Sequence, residues 1–250
     1  MCTFEKRGRV YVLTLTGDGE HRLSPYVIAD IRSALSLARS DSDASGRGRA
    51  LVTAADGRFF SNGFDLAWAK AADSPAAIQE RVVSMGNHFV HLIADLISLP
   101  MPTIAAVTGH AAAAGFMLAI SHDYMEMRAD RGFLYMSELE LGMPIPPYFL
   151  ALLKSKIPDP KVVRDMVLRS AKITADEAAR KGIIDGAHGS AAETVAAAVR
   201  RAEDLAARNW NGGVYSSIRR GALPEICRAV GLPEDTEEDR RALLFTAAKL

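Results

Sequence analysis

The stretch that most constrains this chain is 103–123, TIAAVTGHAAAAGFMLAISHD. Thr103-Ile104-Ala105-Ala106-Val107 follows two X-Pro steps that end a preceding helix, and a short apolar run of this kind suits a strand buried on both faces. From Gly109 to Gly115 only His110 exceeds a methyl group, so another backbone or a ligand can approach the main chain closely. Gly115-Phe116-Met117-Leu118-Ala119-Ile120 then begins a helix whose first N–H groups have no intrahelical partner. Those donors and the positive end of the helix dipole make a site for developing negative charge. Close strand-helix packing would use the same small residues. A membrane span is disfavoured, because the run is Ala-rich, holds His110 and two glycines, and barely reaches the ~18 apolar residues required.

The flanking sequence alternates strands with helices. Val10-Tyr11-Val12-Leu13-Thr14-Leu15 reads as a strand, and Ser24-Pro25 as the cap and first position of a helix buried along Ile28, Ile31, Leu35 and Ala38. The Ser/Asp/Gly-rich 40–48 reads as a loop, and Ala50-Leu51-Val52-Thr53-Ala54 as a second buried strand, which together predict parallel β/α units with crossovers. The segment 57–66, GRFFSNGFDL, is aromatic and then sharply turned. Ser74-Pro75 opens a long helix striped by Ile78, Val82, Met85, Phe89, Ile93 and Leu96. Two short strands are predicted at 124–128 and 133–136, after which Pro144, Pro146 and Pro147 argue against regular structure. A short helix at 162–168 and the capping box of Thr174-Ala175-Asp176-Glu177 follow. Helices are predicted at 191–208, 214–229 and 237–247, so the organisation is an α/β body over 1–190 followed by an all-helical region over 191–250.

Composition narrows the function. With 250 residues, 49% hydrophobic and 24% charged, the chain has the make-up of an ordinary globular protein with one sizeable core. Thirty basic residues balance thirty acidic ones, so no global field favours nucleic acid or an anionic membrane, although a local basic patch remains open. Two cysteines, Cys2 and Cys227, argue against a disulfide framework and for a reducing compartment. His88 and His91 have metal-ligand spacing, but no Cys, Asp or Glu cluster joins them, so no metal is expected. The N-terminus has no secretory signal pattern. Ala248-Lys249-Leu250 is a conservative variant of the Ser-Lys-Leu peroxisomal address, which predicts a peroxisomal location and an import receptor as partner.

With both small-residue loops placed, the chain resembles the crotonase family, the enoyl-CoA hydratase/isomerase superfamily. Phe59-Phe60-Ser61-Asn62-Gly63-Phe64-Asp65-Leu66 looks like the first acyl-CoA loop of that family, and Pro102-Thr103-Ile104-Ala105-Ala106-Val107-Thr108-Gly109-His110-Ala111 like its second. The resemblance implies an α/β, crotonase-like spiral of repeated β/β/α units with a C-terminal helical trimerisation region. It implies a fatty acyl-CoA substrate, no cofactor beyond that CoA, and a homotrimer or dimer of trimers. By the same similarity, the backbone N–H groups of Asn62 and Ala114 would form the oxyanion hole for the thioester oxygen. Where relatives show consecutive glycines, this chain has Ala113-Ala114-Gly115.

The acid pair carries the finer expectation. Hydratases of the family place one Glu where this chain has Met117 and a second where it has Glu138. Adding water across a double bond is well served by two carboxylates that hold the water, whereas moving a double bond from position 3 to position 2 needs one base and a stabilised dienolate. Retention of Glu138 alone therefore favours a Δ3,Δ2-enoyl-CoA isomerase of β-oxidation, with Met117 excluding water. The alternatives are a hydratase or other acyl-CoA thioester enzyme with a displaced acid, and a non-catalytic crotonase-fold protein. Expected substrate contacts are Arg22, Ser61, Asn62, Gly63, Phe64, Asp65, Leu66, Ala113, Ala114 and Met117. Asp65 is also expected to hold its turn by accepting backbone N–H bonds. Arg58 and Lys70 are weaker candidates for the CoA phosphates, and Glu140 is expected to be a surface acid.

Overall fold

The structure, a computed structural model, describes residues 1–45 and 48–247. In chain order the elements begin β1 (Cys2–Arg7), β2 (Val10–Leu15), α1 (Pro25–Ser45), β3 (Ala50–Ala55), β4 (Phe59–Ser61), α2 (Leu66–Lys70) and α3 (Pro75–Ile97). Then come β5 (Thr103–Val107), β6 (His110–Ala112), α4 (Ala114–Ile120), β7 (Tyr124–Arg128), β8 (Leu134–Tyr135) and α5 (Glu138–Leu141). The chain continues with α6 (Pro147–Lys156), α7 (Pro160–Arg169), α8 (Ala175–Arg180), β9 (Gly186–His188), α9 (Ala191–Ala207), α10 (Gly212–Ala222), α11 (Pro224–Ala229) and α12 (Glu237–Ala247).

Six strands form one sheet in the order β1-β2-β3-β5-β7-β9, and three form a smaller sheet in the order β4-β6-β8. All pairings are parallel except β1 with β2. Alternation along the large-sheet strands divides the core in two. Tyr11, Leu13, Leu51, Ala105 and Val107 join the larger apolar cluster with α1, α3, α4 and α6, while Val10, Val12, Val52, Ile104 and Ala106 meet Ala198, Ala202 and Ala206 of α9 on the other face. Both faces are covered, which is why these strands read as continuous apolar runs.

Several boundaries differ from expectation for local physical reasons. The chain opens on an antiparallel edge strand that its charged residues Glu5, Lys6 and Arg7 concealed. Segment 40–48 is not all loop, since α1 continues through Ser45. Residues 143–146 carry no regular structure, in keeping with Pro144 and Pro146, but Pro147 opens α6 at its first position, where its missing N–H has no consequence. The helix expected over 214–229 breaks at Leu223, which precedes Pro224. A division at 190 would cut α9 from the sheet it covers, and Leu223, Ile226 and Cys227 beyond it join the larger apolar cluster of the body. The tripeptide 248–250 lies outside the described residues. Among the described residues no helix is long and apolar enough to cross a membrane, and no group of three or more His, Cys, Asp or Glu side chains is placed to hold a metal.

Candidate active site

The site is built where β4 and β6 run out. Residues 19–23 lie beside β4 and the turn after it: Phe59 N–H donates to Gly19 O at 3.1 Å, Asn62 N–H to Glu20 O at 2.8 Å, and Leu23 N–H to Gly63 O at 2.8 Å. Gly63 supplies the turn with φ +76, a conformation an L side chain rarely adopts. A Cβ there would lie 3.0 Å from Ala112 O and 3.6 Å from Ala114 N, so the two small-residue loops touch at this point. Gly115 is required for the same approach, since its Cβ would fall 2.2 Å from Ser61 O. Ala113 turns the chain into α4 with φ 49 and ψ −121, anchored by its N–H donating to Tyr135 O at 2.9 Å.

This geometry corrects one expected role. The Asn62 N–H is committed to Glu20 O, and its side-chain amide contacts the Glu20 carboxylate at 3.4 Å, so Asn62 cannot supply a hole donor. Two residues on, the Phe64 N–H donates to no acceptor among the described residues, and neither does that of Ala114, which opens α4. The two N–H groups left without an acceptor beside the contact of the loops are therefore those of Phe64 and Ala114. Ser61 is also structural: it is fully buried and its hydroxyl donates to His21 O at 2.8 Å. Asp65 holds its turn by accepting the Trp68 N–H at 2.9 Å and caps α2, whose first residue is Leu66. Arg22 is paired with Glu20 at 2.7 Å, and Lys70 is exposed at the end of α2.

Glu138 is the first residue of α5, three positions past Tyr135, whose carbonyl anchors Ala113. It is only 6% exposed, and its Oε2 is buried with no hydrogen-bond partner. Burial pushes its carboxyl above the usual range, against the backbone N–H groups of Glu138 and Ser137, which lower it. A raised pKa and an unpaired oxygen are the properties of a proton acceptor rather than of a salt-bridge partner. Glu140, by contrast, is exposed. Met117 is fully buried in α4. Phe64 packs edge-on against Phe89 at 5.4 Å and beside Phe149 at 6.3 Å, so the hole loop leans on α3 and α6. Neither Phe64 as donor nor this aromatic wall was assigned from sequence; the only local signal was the unusual density of Phe around Gly63.

The fold and this site define a crotonase-type protein, and the chain belongs to the enoyl-CoA hydratase/isomerase family, whose profile matches residues 6–212. Among curated proteins it is similar to three from Arabidopsis thaliana. It is 52% identical to enoyl-CoA delta isomerase 2, peroxisomal, over 93% of this chain and 96% of that one. Identity is 50% to enoyl-CoA delta isomerase 1, peroxisomal, over 90% and 91%, and 49% to enoyl-CoA delta isomerase 3 over 93% and 96%. Solved structures share the fold at lower identity. A probable enoyl-CoA hydratase from Mycobacterium tuberculosis H37Rv superposes with TM-score 0.77 at 23% identity, covering 99% of this chain and 97% of the other.

Proposed function

We propose that this chain is an enoyl-CoA delta isomerase that moves the double bond of 3-enoyl-CoA to the trans-2 position in fatty acid β-oxidation. The observation that carries the chemistry is a single buried carboxyl, Glu138, with an unpaired oxygen, in a site where Met117 replaces the second acid. Relatives of about half identity bearing that enzyme name support the reading over almost the whole chain.

Glu138 takes the proton from C2, the C2 electron pair delocalises into a dienolate whose oxygen accepts the Phe64 and Ala114 N–H groups, and the conjugate acid of Glu138 returns the proton to C4. No water enters and no external oxidant or metal is needed for the balance. Each well-placed hole donor is worth about 2.7–4 kcal/mol in a comparable acyl-transfer site. Because burial raises the Glu138 pKa, kcat/KM should fall on the acid side with an apparent pKa above that of an ordinary Glu. The test offers the protein 3-enoyl-CoA and 2-enoyl-CoA separately. Rapid conversion of the first with negligible hydration of the second is expected; a faster hydration would transfer the assignment to a hydratase.

The same reading places the enzyme in the peroxisome as a trimer or dimer of trimers. The names of two relatives support the location, as does the terminal Ala248-Lys249-Leu250. A C-terminal tag should leave the protein in the cytosol, and light scattering should give three or six chains; unaltered import or a monomer would reject the respective statement.

A further inference from the structure

His21 combines two features that an ordinary packing residue does not carry. Its backbone is left-handed, with φ 49, and its side chain is buried, 5% exposed, with Nε2 lacking any hydrogen-bond partner among the described residues. Both cost free energy, and such costs persist where the surroundings fix a residue in place. The turn before it does so: the Asp18 carboxylate accepts the N–H groups of Glu20 at 2.9 Å and of His21 at 3.1 Å. Nδ1 of the ring lies 3.0 Å from Phe59 O. A carbonyl only accepts, so Nδ1 carries the hydrogen and donates it.

The contacts of His21 lead to both acceptor-free N–H groups of the site. Its ring holds Phe59 O and its own carbonyl accepts the Ser61 hydroxyl at 2.8 Å, so one residue fixes both ends of β4. Ser61 then meets the two loops. Its carbonyl abuts Gly115, where a Cβ would fall 2.2 Å from it, one residue past Ala114. Its hydroxyl oxygen accepts the Gly63 N–H at 3.4 Å, one residue before Phe64. A shift of β4 therefore moves Ser61 against both loops at once, because the glycine contact leaves no slack.

We propose that His21 is a positioning residue for the isomerisation: its bonds to Phe59 and Ser61 set the spacing of the Phe64 and Ala114 N–H groups, so that both reach the dienolate oxygen. The inference rests on the isomerase reading above and on those two donors. Hole donors act through placement, and an error of about 1 Å costs on the order of a hundredfold in rate.

The test compares His21→Ala with His21→Asn. Alanine removes the ring donor, at a φ that Ala113 already bears in this chain. Asparagine keeps an amide N–H in the region of Nδ1 and is a residue type common at positive φ. In the alanine variant kcat for 3-enoyl-CoA should fall roughly ten- to a hundredfold with KM within a few-fold, and asparagine should recover most of the loss. The carbonyl stretching band of a bound saturated acyl-CoA, lowered in frequency by the hole donors, should return towards its free value in the alanine variant and stay lowered in the asparagine variant. A purely structural role would lower the urea midpoint while leaving kcat per folded molecule and the band unchanged, and that result overturns the proposal. Equal losses in the two variants overturn it as well. Should His21→Ala not fold, Ser61→Ala reads the same clamp from its other end, with a lower kcat and a shifted band expected and wild-type values contradicting the proposal. Turnover of 3-enoyl-CoA by the wild type separates the two readings: its absence defeats the isomerase assignment and this inference with it, whereas its presence beside unaffected variants defeats this inference alone.

Discussion

Ala113 adopts a backbone conformation that glycine tolerates and alanine resists, and it does so at the turn that leads into α4 and its acceptor-free Ala114 N–H. Strain held at such a point costs on the order of 1 kcal/mol, and the Tyr135 carbonyl keeps it in place. Ala113→Gly should therefore raise stability by about 1 kcal/mol in denaturant unfolding, net of the greater freedom of glycine in the unfolded chain; a loss of 1 kcal/mol or more would show that the conformation is unstrained. At this scale the sequence was legible in part. The small-residue loops and Glu138 stand out as letters, and Gly63 and Gly115 are glycine for the close approach their spacing suggested. Which N–H is free was not legible, because it depends on Glu20, forty-two residues before Asn62, taking the donor that the loop's own sequence offers.

Among the elements, α9 and α10 tie the helical region to the body in different ways. The apolar stripe of α9 is already covered by Val52, Ile104 and Ala106 of its own sheet and needs no partner copy, contrary to what its periodicity alone implies. α10 is held by two buried side chains, Ser216, whose hydroxyl donates to Ser98 O at 3.0 Å, and Arg219. Arg219, 6% exposed, pairs with Asp123 and donates to the carbonyls of Leu99 at 2.8 Å and Met101 at 2.5 Å, where α3 gives way to β5. Although burial pushes the Asp123 carboxyl up, Arg219 holds it below the usual range. Arg219→Ala strands that carboxylate and several carbonyls, and should cost about 3–5 kcal/mol in urea unfolding. A loss under 1 kcal/mol would mean that α10 docks through its apolar contacts alone. Strands and long helices were readable from periodicity, whereas β1, α6 and β9 were not, because edge charges, prolines and shortness mask elements that only tertiary pairing defines.

For the molecule as a whole, pH acts through a histidine remote from catalysis. His122 is buried between Thr53, whose Oγ1 is 2.7 Å from Nε2, and Leu118, whose carbonyl accepts from Nδ1–H at 3.0 Å. Burial depresses its pKa to about 4 from 6.5. The folded state therefore holds it neutral while the unfolded chain binds a proton below pH 6.5. Its contribution is complete above 6.5 and is lost as pH falls towards 4, by about 3 kcal/mol in the limit. Urea midpoints should drop between pH 7 and 5 in the wild type and far less in His122→Gln; equal drops would assign the acid lability elsewhere. The activity proposed for the whole molecule turns on one base. Its chemistry is most directly tested in the intact protein by Glu138→Gln, which preserves shape and removes the base. Conversion of 3-enoyl-CoA to 2-enoyl-CoA should be abolished while affinity for the CoA ester stays within a few-fold of wild type. Isomerisation at the wild-type rate would contradict the assignment and return the role of base to Glu140 or Asp65.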